Sequence, residues 1–406
     1  MADKKLLSPL VIYLLGINSI IGSGIFLLAG KIYRNVGNWS LLAILLAGFS
    51  LFTIAFSYAN MSKLYPENGG AFIYARRVFG RFMCFIIGIV TWLLGTVTLA
   101  TEVSALLTAL KMIFPTLPTT IVGVSLLLSL GFLSYFGSSL IANLDNITAI
   151  LKLLIVIVFV VTSIWLAKVT NFISQQPLTN ITHHFTLKGF LVAYGTVFFF
   201  FTGFSFLPVN AEKMNNPTKN LPKMISLVML SCISVYLIIQ SITIGVLGAT
   251  LPNTIVPAAT IFAKIVGHIG IPLFVSSICI SILGVIVATT FNTPTWAVIL
   301  TTVGAICLFL TGDYLFLSEL TVFMSFVQYL ATGCANVKKR YYLIGLSTIG
   351  FSIILLTSFS LTVLLLGVSC IVVLALIYLS VKVDDAHLAK VKATKQALKV
   401  ASKHTN

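Results

Sequence analysis

The sequence predicts an all-α polytopic membrane protein of about twelve transmembrane helices, arranged as two inverted five-helix repeats with breaks in helices 1 and 6. Three observations predict it. Of the 406 residues, 58% are hydrophobic and only 8% charged, with a mean hydropathy of +1.09; a soluble domain carries roughly a quarter charged residues. The apolar residues gather into segments close to the ~20-residue length that crosses a bilayer. Two of those segments, five apart in order, carry glycine interruptions where a membrane helix is expected to run unbroken.

In chain order the apolar segments fall at 9–34, 40–63, 81–110, 119–136, 147–167, 188–208, 224–248, 270–290, 294–311, 314–335, 341–358 and 360–381. Short polar turns such as Pro66-Glu67-Asn68-Gly69-Gly70 and Pro115-Thr116-Leu117-Pro118 separate them. The opening Met1-Ala2-Asp3-Lys4-Lys5 ahead of an apolar run has the outline of a leader, but no small-residue cleavage site follows, so 9–34 is read as a retained first span. The implied layout is a cytoplasmic N-terminus (1–8), a core (9–340) of repeats at about 9–167 and 188–335, two accessory helices (341–381) and a basic tail (382–406).

The formal net charge of +16 follows topology rather than a nucleic-acid partner. With the N-terminus placed inside, eighteen of the 25 Lys and Arg fall on cytoplasmic connections and the tail, while Lys31, Arg34, Lys111, Lys168, Lys188 and Lys264 fall outside. The positive-inside rule then sets both termini in the cytoplasm, and the tail reads as a solvated helix at the lipid surface in preference to a partner-binding arm. The six cysteines sit in apolar segments or at their ends, without metal-like spacing. They read as packing residues, and neither a metal nor another cofactor is expected. His183 and His184, in an outer loop, read as solvated.

The first interruption is Gly22-Ser23-Gly24, inside Gly16-Ile-Asn-Ser-Ile-Ile-Gly-Ser-Gly-Ile-Phe26. An unpaired peptide group in hydrocarbon costs several kcal/mol, so a break is tolerated only where it lines a cavity or lies buried in protein. Two half-helices then meet at mid-depth, and the N-terminus of one offers free N–H groups and a positive dipole end to an anion. The second interruption is Thr202-Gly203 within Phe198-Phe-Phe-Phe-Thr-Gly-Phe-Ser-Phe206. One glycine in a membrane helix is most simply close packing; a pair in corresponding positions points to a transporter site.

These stretches resemble the amino acid–polyamine–organocation permeases, of the bacterial amino acid permease and antiporter type. The first is similar to that family's first-span signature, and Pro66-Glu-Asn-Gly-Gly-Ala-Phe-Ile-Tyr74 to its Pro-x-x-Gly-Gly-x-x-x-Tyr stretch. Thr202-Gly-Phe with Glu212-Lys-Met-Asn-Asn-Pro-Thr-Lys-Asn-Leu-Pro222 resembles its sixth-span break and following loop, and Asn143-Leu-Asp-Asn-Ile-Thr-Ala-Ile-Leu-Lys152 the start of its fifth span. The resemblance covers most of residues 8–340. It implies the LeuT-like 5+5 fold in a prokaryotic plasma membrane, with an amino acid or related amine and protons as partners beside the lipid bilayer. Oligomeric state is not legible.

Within that resemblance, the first break (Ile21, Gly22, Ser23, Gly24, Ile25) would hold the substrate carboxylate on its N–H groups. The sixth-span break (Phe199, Thr202, Gly203, Phe204) would hold the ammonium on its carbonyls. Phe199 stands where the family often has an aromatic gate, or else is simply one packed ring of a four-Phe run. Lys152 lies deep enough to cost at least ~2.5–3.5 kcal/mol on insertion. It either snorkels to the cytoplasmic surface or, as the resemblance implies, stands near spans one and eight as a proton-coupling amine. Glu102 and Glu319 either shape a polar path or bond a neighbouring helix as neutral acids, and Glu212 is positioned to pair with a basic loop residue at an inner gate. Trp92, Thr96, Ser277 and Ser281 complete the side-chain pocket, which leans toward neutral substrates.

Two departures from the family stand out. Ser205 follows the sixth-span Gly-Phe where the family often has glutamate. Between spans eight and nine the chain passes from Ala288-Thr-Thr-Phe-Asn292 straight into Thr293-Pro294, without the family's interfacial segment. The expectation is therefore a secondary transporter of amino acids, symport or exchange, with a transport-inactive or impaired sensor or subunit on the same fold as the alternative. Enzyme motifs such as His-Glu-x-x-His or Gly-x-Ser-x-Gly are missing, and no selectivity ring suggests a channel.

Overall fold

The computed structural model describes residues 6–136, 138–173, 185–291 and 297–380, with side chains at 6–132, 147–172, 185–286 and 297–380. The helices in chain order are α1 (Pro9–Ile20), α2 (Gly24–Leu27), α3 (Ala29–Val36), α4 (Ser40–Leu64), α5 (Ala71–Phe79), α6 (Arg81–Leu110), α7 (Thr119–Phe136), α8 (Ser138–Ser163) and α9 (Thr170–Ile173). They continue as α10 (Leu187–Phe201), α11 (Pro217–Leu247), α12 (Pro257–Val266), α13 (Gly270–Phe291), α14 (Val298–Thr311), α15 (Tyr314–Lys338), α16 (Tyr342–Leu356) and α17 (Leu361–Ser380). Among the described residues, nine stretches are long and apolar enough to cross a membrane, and three shorter apolar helices lie at Thr119–Phe132, Val298–Thr311 and Tyr342–Leu356. Together they reproduce the twelve expected segments in order.

The bundle surface is that of a lipid-facing protein. Ile121, Phe132, Leu154, Ile157, Val161, Ile299 and Leu343 are all exposed on helix faces, an apolar coat that water would not tolerate. The unit Met1–Leu364 holds the bundle and every residue considered below; the second unit begins at Leu365, and its described part is the remainder of α17.

Each expected break is present as a helix interruption. α1 opens on an N-cap, Ser8, with Pro9 in its first turn, and ends where Ile21 turns extended (φ −76°, ψ 94°). The chain bends through Ile21–Ser23 before α2 begins. Leu28 keeps right-handed helical dihedrals, so α2 passes almost directly into α3. The sixth span behaves differently. After α10 the backbone tightens into 3₁₀ turns at Thr202–Phe206 and Pro208–Lys213, with a kink at Asn210. Its chain narrows rather than opens, because i→i+3 bonds keep the peptide groups paired.

Two elements differ from the sequence reading. The stretch after Gly70, left between the second and third apolar segments, folds into α5, because Ile73, Tyr74 and Val78 form one buried side while Arg76 and Arg77 remain outside. Gly69 and Gly70 make the preceding turn at φ +121° and +52°, values that side-chain-bearing residues rarely adopt. Ahead of α13, residues 257–266 form the separate helix α12, which packs on α13 and on α8. α1 stands at the centre, against α8, α11 and α13.

Candidate functional site: the broken first helix

The interrupted backbone of the first span is met by polar side chains from five other helices. Lys152 on α8 is fully buried and donates to the Asn18 carbonyl at 2.8 Å; it does not snorkel. Asn18 itself donates to Thr148 Oγ1 at 2.9 Å and to the Gly284 carbonyl of α13 at 3.2 Å, so the amine stands between spans one, five and eight. The Tyr236 hydroxyl of α11 lies 2.8 Å from the Phe200 carbonyl and 3.2 Å from the Ile20 carbonyl. One phenol thus bridges the carbonyl ends of both interrupted helices. Ser281 of α13 donates to the Ile21 carbonyl at 3.3 Å.

Opposite these carbonyl contacts, the N–H side of the break meets a carboxylate. Glu102 of α6, 3% exposed, accepts the Ser23 N–H on Oε2 at 3.3 Å. Its other oxygen lies against Gly22, where a Cβ would stand 2.7 Å from it; only glycine leaves room for the acid. Tyr314, at the start of α15, donates to Ser23 Oγ at 3.0 Å. Among the described residues the N–H groups of Gly24 and Ile25, in the first turn of α2, form no hydrogen bond, as the first amides of a helix have no intrahelical carbonyl.

The two interruptions touch. Gly203 lies so close to the Ser19 carbonyl that a Cβ there would come within 1.8 Å of its oxygen. The carbonyls of the sixth span, expected to be open, are engaged: Phe199 O accepts Thr202 Oγ1 at 3.1 Å and Phe200 O accepts Tyr236. Ser205 returns its hydroxyl to Thr202 O. Phe204 is buried in an aromatic cluster, stacked on Tyr329 at 5.6 Å and edge-on to Tyr58 at 5.3 Å. Phe199 packs edge-on against Tyr314 at 6.1 Å and forms part of the wall of a cavity of about 40 Å³ that also includes Glu319.

The remaining expected residues lie elsewhere. Trp92 donates to Thr301 Oγ1 at 2.9 Å and ties α6 to α14, and Ser277 returns its hydroxyl to Leu273 O on its own helix. Glu319 accepts the Ser360 N–H. Glu212 pairs with Asn68 rather than with a basic residue. Asn68 N and Nδ2 donate to its two carboxylate oxygens at 3.2 and 3.0 Å, and Glu212 N donates back to Asn68 Oδ1 at 2.9 Å. A neutral amide wins because it supplies both donors and an acceptor to the same loop. Beside this clamp, Gly69 N donates to Val209 O, and Leu7 forms a parallel bridge with Met214. His183, His184, Asn292, Thr293, Pro294 and the tail beyond 380 lie outside the described residues, as does the side chain of Asp145. Among the described residues no group of three His, Cys, Asp or Glu side chains is placed to hold a metal.

Asn18, Tyr236 and Tyr314 are absent from the sequence-derived site. Their signal was present: each is a polar group in an apolar segment, and a buried phenol or amide finds a hydrogen-bond partner. What was missing is the partner, which is a backbone carbonyl in two cases and invisible to residue type.

The class is therefore set by fold and site together: a multi-pass membrane protein whose buried polar side chains converge on an interrupted helix. The family model for amino acid permeases matches residues 7–291, and the chain belongs to that family, within the amino acid–polyamine–organocation superfamily. It is 28% identical over 264 residues to the branched-chain amino acid permease BcaP of Bacillus subtilis, covering 60% of this chain and 55% of that protein. Over 262 residues it is 24% identical to the methylthioribose transporter of the same organism, again 60% and 55%. The cationic amino acid transporter 9 (chloroplastic) of Arabidopsis thaliana is 27% identical over 274 residues, 62% of this chain and 47% of the relative. The chain thus spans about half the length of these curated relatives. The family match ends at residue 291.

Proposed function

We propose that this chain is a secondary active transporter, not an enzyme, that carries amino acids or related amines across the plasma membrane by alternating access, in symport with protons or by exchange. The observation that carries the reading is the Glu102 carboxylate on the Ser23 N–H. A carboxylate already fits the first break, with the Gly24 and Ile25 amides open beside it. The carboxylate of an amino acid would use the same donors, in a site where each hydrogen bond to a charged group contributes about 1.5–3 kcal/mol.

Two ionised carboxylates do not share such a site. Substrate entry therefore requires Glu102 to withdraw or to take up a proton, which links proton and substrate in one event. Lys152, within electrostatic reach of Glu102, holds the Asn18 carbonyl on the other side of the break and is the second coupling group. Substrate ammonium would compete with Tyr236 for the Phe200 carbonyl. Phe199 and Tyr314 form the lid, and the Asn68–Glu212 clamp with the Leu7–Met214 bridge holds the opposite end shut, the end that carries the N-terminus and that the charge pattern assigns to the cytoplasm.

The names of the relatives support amino acids as the substrate class, and the methylthioribose transporter marks how far the family's substrates range. The alternative, a transport-inactive sensor on the same fold, rests on the shortened connection alone. Reconstituted vesicles loaded with a panel of amino acids, with and without an inward proton gradient, test the proposal. Uptake or exchange of at least one member is expected, and silence across the panel at every gradient refutes it.

A further inference from the structure

Away from the broken helix, the ends of α6, α7 and α14 that the charge pattern assigns to the outside frame a cavity of about 230 Å³. Ser104, Thr108 and Lys111 line it from α6 and its C-cap. Their i, i+4, i+7 spacing sets them on one side of that helix. Two residues turn a helix by about 200°, so this side lies roughly opposite the one on which Glu102 meets the break. Thr119 and Thr120, which open α7, complete the polar wall. Among the described residues the Lys111 amine has no ion-pair or hydrogen-bond partner, and the hydroxyls of Ser104, Thr119 and Thr120 have none either. Thr108 returns its hydroxyl to the Ser104 carbonyl at 2.8 Å. No carboxylate lines the cavity; Asp313, one residue beyond Gly312 at its edge, caps α15 by accepting the Phe316 N–H at 2.8 Å.

One ammonium among uncommitted hydroxyls, with no acid beside it, suits an oxyanion. The volume is several times the ~30 Å³ of a water molecule, so a phosphate fits. Depth and surroundings say which phosphate. α6 has 30 residues, a length of ~45 Å that matches the ~40–45 Å of a bilayer with its headgroups; Lys111 at its end is therefore level with the headgroups. α7 and α14 pack closely, since a Cβ on Gly123 would run into the Phe309 ring. Both also turn apolar faces outward, Ile121 and Leu128 on α7 and Val303 and Leu310 on α14. A free anion gains nothing from those faces, whereas acyl chains lie along them. We infer that the cavity binds the phosphate of an anionic phospholipid of the outer leaflet, with Lys111 supplying the charge and Ser104, Thr119 and Thr120 the hydrogen bonds. Such a lipid ties α6, the helix of Glu102, to α7 and α14. The site holds or fails apart from the transport reading, because it shares no residue with the broken helix.

Titration of the purified full-length protein in detergent, read by thermal shift and native mass spectrometry, tests it. Dioleoylphosphatidylglycerol, dioleoylphosphatidylcholine and inorganic phosphate form separate arms. Phosphatidylglycerol is expected to raise the Tm of wild type and to stay bound under conditions that strip phosphatidylcholine, while inorganic phosphate at the same concentration has no effect. Lys111→Gln should weaken phosphatidylglycerol binding at least about fivefold, the contribution of one lysine at a membrane surface, and Lys111→Arg should retain it. Ser104→Leu fills the cavity but leaves the charge, and should weaken binding to a similar degree. Lys111 is exposed and its amine bonds to nothing in the protein, so its variants decide the matter if Ser104→Leu does not fold. Equal binding of phosphatidylglycerol by wild type, Lys111→Gln and Ser104→Leu would put the lipid on the basic residues of the opposite face and refute the site. A loss in Lys111→Gln with wild-type binding in Ser104→Leu would mean diffuse attraction to the lysine without a site in the cavity. A shift with inorganic phosphate that Lys111→Gln abolishes would make it a site for free anions and overturn the lipid. Equal retention of phosphatidylcholine, or of neither lipid, also overturns the inference.

Discussion

The backbone N–H of Ser23 donates to the carboxylate of Glu102, a residue 79 positions later in the chain, at 3.3 Å. An acid from the third span thus lies on an amide of the first-span break. Glu102→Gln keeps an oxygen for that amide but removes the exchangeable proton. It should retain exchange of substrate for substrate while losing at least about tenfold in proton-gradient-driven accumulation, equivalent to ~1.4 kcal/mol of lost coupling. Uptake by Glu102→Gln that still rises with an acid exterior, measured in vesicles, would remove Glu102 from the coupling.

Lys152 is buried with its amine on the Asn18 carbonyl. Lys152→Ala leaves that carbonyl without the bond in a low-dielectric setting, an expected loss of about 1–3 kcal/mol that should appear as a lower Tm in detergent. The same variant should abolish pH-driven uptake. Sodium-dependent transport at wild-type rate in Lys152→Ala would sink the proposed role.

Gly203 has no room for a side chain. The obstacle is the Ser19 backbone carbonyl, which cannot rotate away as a side chain would, so Gly203→Ala must separate the two broken spans. Substrate binding should be lost and thermal stability reduced, whereas Ser205→Ala should leave binding within about twofold, since Ser205 only returns its hydroxyl to Thr202 O. Wild-type binding by Gly203→Ala would show that the two breaks do not act together.

Tyr236→Phe removes the hydroxyl that bridges the Ile20 and Phe200 carbonyls. The ring contacts with Phe200 and Phe201 remain, so the change isolates the polar term. Because the substrate ammonium competes with that hydroxyl for the Phe200 carbonyl, tighter substrate binding by about tenfold, without loss of insertion, is the expected result of calorimetry. Unchanged affinity would mean the bridge is structural only.

Asn68→Ala deletes the two side-chain hydrogen bonds to Glu212, through Nδ2 and Oδ1, and leaves the one from the Asn68 backbone N–H. At about 0.5–1 kcal/mol for each such exposed contact, amide hydrogen exchange at residues 67–70 and 209–214 should accelerate by about tenfold or more. Exchange confined to its wild-type rate would show that this clamp does not hold the end closed.

Much of the architecture was legible because a bilayer leaves few options. Without water to satisfy peptide groups, apolar stretches of this length become helices, and the twelve segments follow in order. The breaks were legible for the same reason, since glycine in mid-span marks either close packing or an opened helix. At Gly203 it marks packing so tight that only hydrogen fits. α5 was not legible as a helix, because nine residues with two arginines resemble a loop until one side is seen to be buried.

What the sequence by itself determined is therefore the membrane class, the helix order and the two interruptions, all consequences of local hydrophobicity and backbone chemistry. Which groups meet at the first break was decided only by the tertiary structure. Lys152 and Glu102 were visible as costly intramembrane charges, but a charge in the sequence does not say whether it reaches for water, a side chain or a peptide group. Their partners are the Asn18 carbonyl and the Ser23 amide, backbone groups that every residue possesses. Only the packing of α6 and α8 around α1 selects those two, because burial makes an unmatched charge too costly to leave alone.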